Sequence, residues 1–148
     1  MTLQTLIFIY QRDLAKLQEE ILAYQSEQDL WKVMPGIANS GGNLTLHLIG
    51  NLNYFIGTVL GETGFVRDRE AEFASSDVPR KQIVEDIAAT SAMLEQTLTN
   101  LPIERLTKDY PIEFNQQVFS IDTMLMYFLT HLSYHLGQIN YHRRIISE

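Results

Sequence analysis

The opening two dozen residues constrain the fold more than any other stretch. Apolar side chains fall at Leu3, Ile7, Tyr10, Leu14, Leu17, Ile21 and Tyr24, at alternating three- and four-residue spacing, with Gln11, Arg12, Lys16 and Glu20 between them. A helix with that spacing carries one apolar stripe, which other elements must cover. The same rhythm returns at Ile83, Ile87, Leu94, Leu98 and Leu101, with Pro79 suited to a first helical turn and Pro102 closing the run. Two more helices are predicted, over about 43–60 with Gly61 and Gly64 at its end, and over about 120–146, the longest.

The connections are long. Residues 26–42 contain Pro35, Gly36 and the run Asn39-Ser40-Gly41-Gly42, with Trp31 placed to anchor them to a core. Residues 65–78 hold Arg67, Asp68, Arg69, Glu70 and Glu72 without a sustained apolar period, and read as a charged loop. Tyr110, Ile112 and Phe114 alternate before Asn115-Gln116, which allows one short hairpin before the last helix. The expected fold class is all-α: a four-helix bundle with long crossover connections, forming a single domain over residues 1–148.

Composition removes several functions. Eleven Lys and Arg against eighteen Asp and Glu give a net charge of -7, a poor basis for binding nucleic acid or an anionic membrane. The chain has no cysteine, hence no disulfide, thiolate metal site or cysteine nucleophile, and any thiol chemistry must use a thiol that arrives with a substrate. Residues 1–10 lack the pattern of a secretory signal, and the most apolar stretch, 124–136, is broken by Thr130, His131, Ser133 and His135. A cytoplasmic, soluble protein acting on a small molecule is expected.

The histidines carry the chemistry. His131 and His135 are four residues apart on the last helix, so their side chains diverge by about 40° and stand one turn apart on one face. Met124, Tyr127 and Phe128 lie near the same stripe, which should turn the pair into the bundle. His47 shares its helical face with Asn43, Gly50, Asn51 and Tyr54, small or polar neighbours that leave room beside the ring. If the two faces meet, three neutral imidazoles converge with coordination positions left open, the pattern of a catalytic rather than a structural metal site. The residue types fit equally well a set of buried histidines satisfied by one another. Asn51 and Gln138 are candidates to orient the imidazoles from behind. His142 returns to the same stripe but lies about 16 Å along the axis from His131 and about 10 Å from His135. It is expected at the surface, beside Arg143 and Arg144 at the helix end.

Sharper motifs are missing. Leu132 stands where a zincin places its glutamate, and neither His131 nor His135 has a glutamate three residues before it, as a di-iron bundle requires. No general acid or base stands out. Tyr54, Tyr127 and Tyr134 are available, but aromatic residues at helical spacing usually serve the core.

Three segments resemble the DinB-like superfamily: Pro35 to Ser40 followed by Leu46-His47-Leu48-Ile49-Gly50-Asn51-Leu52; Arg67 to Phe73; and His131-Leu132-Ser133-Tyr134-His135-Leu136-Gly137-Gln138-Ile139. The resemblance implies a four-helix bundle, commonly dimeric, holding a divalent metal ion on His47, His131 and His135, with nickel or zinc first and iron or manganese next. Some members are metal-dependent S-transferases that use low-molecular-weight thiols such as bacillithiol, or mycothiol-dependent isomerases. It therefore implies a metal-dependent enzyme that transfers a low-molecular-weight thiol to a small electrophile in stress or detoxification. The alternative is a non-enzymatic helical dimer that binds a metal or ligand. A second apolar face on the last helix, Leu125, Leu129, Leu132 and Leu136, places that helix either at the centre of the bundle or at the interface of a homodimer.

Overall fold

In the computed structural model, which describes residues 2–147, helix α1 (Leu3–Ala23) begins at Thr2, whose hydroxyl accepts the Thr5 N–H at 3.1 Å. Its stripe of Leu6, Ile7, Tyr10, Leu14, Leu17 and Ile21 is buried against α5 (Arg80–Asn100) and α6 (Ile121–Ile146). Residues 24–40 contain a 3-10 turn, Glu27–Trp31, which buries Leu30 and packs Trp31 against the core.

The second long helix starts as α2 (Gly41–Leu52), two residues earlier than the spacing predicts, because Ser40 is the cap and accepts the Asn43 N–H at 3.1 Å. It widens into a π-helical stretch, Asn53–Thr58, and closes as α3 (Val59–Gly61), with Glu62 left-handed at φ 52°. The reason lies in the core residues Leu44, Leu48, Leu52, Ile56 and Leu60, spaced strictly by four and all buried. In an unbroken α-helix such a repeat drifts by about 40° at each step and leaves the core within a few turns. The wider turn absorbs the drift. Asn53 Nδ2 donates to the Ile49 carbonyl and the Thr90 hydroxyl, both at 2.8 Å, and the buried Tyr110 hydroxyl donates to the Phe55 carbonyl at 2.7 Å.

Within the segment expected as a loop the chain forms a short helix, α4 (Arg69–Ala74), capped by Asp68, whose Oδ1 accepts the Ala71 N–H at 3.1 Å. It packs on α2. After α5 and a 3-10 turn at Ile103–Arg105, the excursion before α6 reverses at Asn115 and Gln116, both with positive φ, the type I′ geometry of a two-residue hairpin turn. Phe114 and Gln117 exchange backbone hydrogen bonds at 2.9 and 3.0 Å, but pairing amounts to isolated bridges, and no strand forms among the described residues.

The molecule is thus all-helical, with the long elements arranged as a bundle and α4 laid against α2. Leu125, Leu129 and Leu132 are buried within the subunit and Leu136 is half-buried against the core, so this second apolar face marks α6 as central. No described helix is long and apolar enough to cross a membrane.

Candidate metal centre

The contact between α2 and α6 brings His47, His131 and His135 together. One nitrogen from each ring lies within 4.8 Å of the others. The Nε2 atoms of His47 and His135 stand 3.2 and 3.1 Å from Nε2 of His131, and each pair of rings meets nearly edge to face. His47 is only 8% exposed, and the other two are half-buried.

The outward nitrogens fix two of the tautomers. His135 Nδ1 lies 2.7 Å from Gln138 Oε1, and His47 Nδ1 lies 3.0 Å from Glu72 Oε1; both oxygens accept, so each Nδ1 carries the hydrogen. The Arg67 guanidinium grips the same carboxylate, Nε to Oε2 at 2.8 Å and Nη2 to Oε1 at 2.9 Å. Its Nη2 also stands 3.3 Å from His47 Nδ1, the longest contact of the group, where two donors gather on one oxygen. The Nε2 atoms of His47 and His135 therefore present lone pairs to His131, whose own Nδ1 is buried without a protein partner. A neutral His131 has one hydrogen to share between two facing lone pairs, whereas a borderline cation such as zinc or nickel can accept a lone pair from all three rings.

Electrostatics keep two of the three rings neutral. Burial, with the neighbouring His135 and His47 adding to it, pushes His131 down to about 4. Burial also lowers His47, against an opposing pull from the Glu72 hydrogen bond and charge. At neutral pH the His47 and His131 rings are neutral, as a metal ligand must be.

Of the residues expected behind the rings, Gln138 meets His135, while the buried Asn51 Oδ1 finds no protein partner. The oxygen behind His47 comes from Glu72 instead. Neither Glu72 nor Arg67 was expected here, because a charged segment with no apolar period reads as solvated. The available signal was Asp68 followed by Glu70, Ala71 and Glu72, the makings of a capped helix. Phe73 packs its ring 5.0 Å from that of His47, and Tyr134, 64% exposed, stands 5.3 Å from that of His135. Tyr127 is exposed and Tyr54 half-buried.

His142 departs from expectation. It is buried, not at the surface: Nδ1 lies 2.7 Å from the Tyr24 hydroxyl and Nε2 lies 2.8 Å from the Lys32 carbonyl, because the 24–40 connection folds back over the end of α6.

Fold and site together define an all-helical bundle with a three-histidine cluster capable of holding a metal ion between its second and last long helices. The chain belongs to the family described as Protein of unknown function (DUF1572), which it matches over residues 3–148. No curated protein matches it.

Proposed function

We propose that His47, His131 and His135 hold a divalent cation and that the protein is a metal-dependent enzyme of the DinB-like superfamily, transferring a low-molecular-weight thiol to a small electrophile in the cytoplasm. The observation that carries this reading is the convergence of Nε2 atoms, two of them held as lone-pair donors by Gln138 and Glu72. A bound divalent ion supplies Lewis acidity, which favours the ionised form of a thiol near neutral pH. The chain's own contribution is to keep His47 and His131 neutral by burial and to fix the His47 and His135 rings from behind. Transfer forms a sulfur–carbon bond as the leaving group departs with its bonding electrons, and the thiol proton passes to solvent. The thiol comes from outside, since the sequence has no cysteine. The resemblance supports a dimer; its interface would lie away from Leu125, Leu129 and Leu132, which are already covered within the subunit.

Metal content of protein purified without added metal, compared with His47→Ala and His131→Ala, tests the site. Stoichiometric metal in the parent and none in either variant is expected, and equal content in all three would defeat the reading. Thiol consumption with bacillithiol or glutathione and simple electrophiles then tests the activity. Metal-dependent turnover is expected; bound metal without turnover would make the protein a non-enzymatic metal-binding bundle.

A further inference from the structure

Glu72 is the one buried residue of α4, a six-residue helix. A carboxylate is a poor choice for docking a helix, because a buried ion pair loses in desolvation much of what it gains by attraction. Yet the surroundings are arranged to bring it in. Asn43 Nδ2 ties the α4 backbone to α2, donating to the carbonyls of Glu72 at 3.0 Å and Ser75 at 2.7 Å. Gly50 leaves the space for the carboxylate: a Cβ there would collide with it. Arg67 holds both of its oxygens.

We propose that Glu72, clamped by Arg67, is a positioning residue that fixes His47 as the Nδ1–H tautomer and aims its Nε2 lone pair into the cluster, so that docking of α4 and cation affinity are coupled. The coupling rests on the metal reading above; the tautomer does not. The argument turns on what else faces His47 Nδ1. Besides the Glu72 oxygen, the polar group nearby is Arg67 Nη2 at 3.3 Å, which can only donate. With the carboxylate present, Nδ1 donates and Nε2 is free. Without it, the guanidinium selects the opposite tautomer, in which Nε2 carries the hydrogen and cannot be a ligand. The same pair of residues thus decides which ring nitrogen is available.

The test is the nitrogen-15 spectrum of the His47 ring in metal-free protein, followed by titration with Zn2+ alone. The parent should show protonated Nδ1. Glu72→Leu, which removes the acceptor, should lose or invert that preference, and its Zn2+ affinity should fall by roughly 10–100-fold, the usual cost of removing a partner behind a metal-binding histidine. Because Glu72→Leu leaves a guanidinium unpaired, the double variant Arg67→Met, Glu72→Leu provides a fold-safe control: apolar replacement of a buried pair is commonly tolerated. It should keep the parent's thermal stability yet lose the fixed tautomer and the affinity. By reciprocity, Zn2+ should slow amide exchange across 69–74 in the parent and not in the double variant. An unchanged tautomer or unchanged Zn2+ affinity in a folded variant would overturn the proposal. So would failure of the double variant to fold, since the pair would then be holding α4 rather than aiming a ring. If the parent takes up no Zn2+, the metal reading and the coupling fail, while the spectrum still decides the tautomer.

Discussion

Helix α6 carries a half-buried histidine, His131, and a buried one, His142, on one face eleven residues apart, and their partners separate them. At His142 both nitrogens are matched: Nε2–H donates to the Lys32 carbonyl, and the Tyr24 hydroxyl donates to Nδ1. At His131, Nε2 faces two more imidazole nitrogens and Nδ1 has no protein partner. Burial lowers the pKa of both rings, so the direction of the shift does not distinguish them. A histidine whose nitrogens are complemented by protein is part of the scaffold, and one facing only other acceptors has its chemistry left open. Helix α2 serves both places in the same way. Gly50 leaves space for Glu72 behind His47, and a Cβ at Gly41 would collide with the Tyr24 hydroxyl and lie 2.9 Å from His142 Nδ1.

The contrast is broken most directly by exchanging phenotypes. His131→Ala should abolish stoichiometric metal content, while His142→Ala should leave it unchanged, both read by elemental analysis of the purified proteins. In the reverse direction, His142→Ala should cost about 2–4 kcal/mol in urea denaturation of metal-free protein, because it empties a buried site and leaves the Lys32 carbonyl and the buried Tyr24 hydroxyl without their imidazole partner. His131→Ala should cost less, since in metal-free protein its half-buried ring loses only the longer contacts of Nε2 with two imidazole nitrogens at 3.1 and 3.2 Å. Equal destabilisation would remove the distinction.

A smaller effect is expected from Gly41→Ala. Overpacking against Tyr24 and His142 costs about 1–3 kcal/mol, partly offset by the helix propensity of alanine, for a net loss of about 1–2 kcal/mol. Denaturation midpoints measure it, and a stabilised variant would show that the Tyr24–His142 contact yields without cost.

The smallest effect is on pH dependence. His47, His131 and His142 stay neutral in the fold below the ordinary histidine pKa of about 6.5, whereas in the unfolded chain they take up protons there. The unfolded state then binds more protons, so stability is fully present above about 6.5 and declines as pH falls toward the folded values, which for His131 is about 4. Midpoints of metal-free protein between neutral and mildly acid pH should fall, and His142→Gln should make the slope shallower. A rise on acidification would contradict the burial account.

What was legible in the sequence followed from local periodicity. The stripes of α1 and α5 and the four-residue step from His131 to His135 depend on helical geometry alone, and the structure places them accordingly. What was not legible depends on partners distant in sequence. His142 is buried by Tyr24 and Lys32, which belong to the end of α1 and an aperiodic connection. Glu72 reaches His47 only because Asn43, Gly50 and Arg67 let a charged segment dock. The turn at Asn115 and Gln116 was readable from alternation and residue type, but its flanking residues pair too briefly to form strands.

The widened turn at Asn53–Thr58 has a consequence for how this chain can change length. Deleting one residue there would restore regular pitch and look benign by any local criterion. It would also leave Leu60 near the core face, seven residues from Leu52 and so within about 20° of it, whereas straightening the turn with no residue removed would swing everything downstream by roughly 80°, turning Leu60 off the core and redirecting the stretch of chain that delivers Arg67 to the Glu72 carboxylate. The bulge acts as a phase adjuster, setting the angle at which a remote guanidinium arrives beside His47.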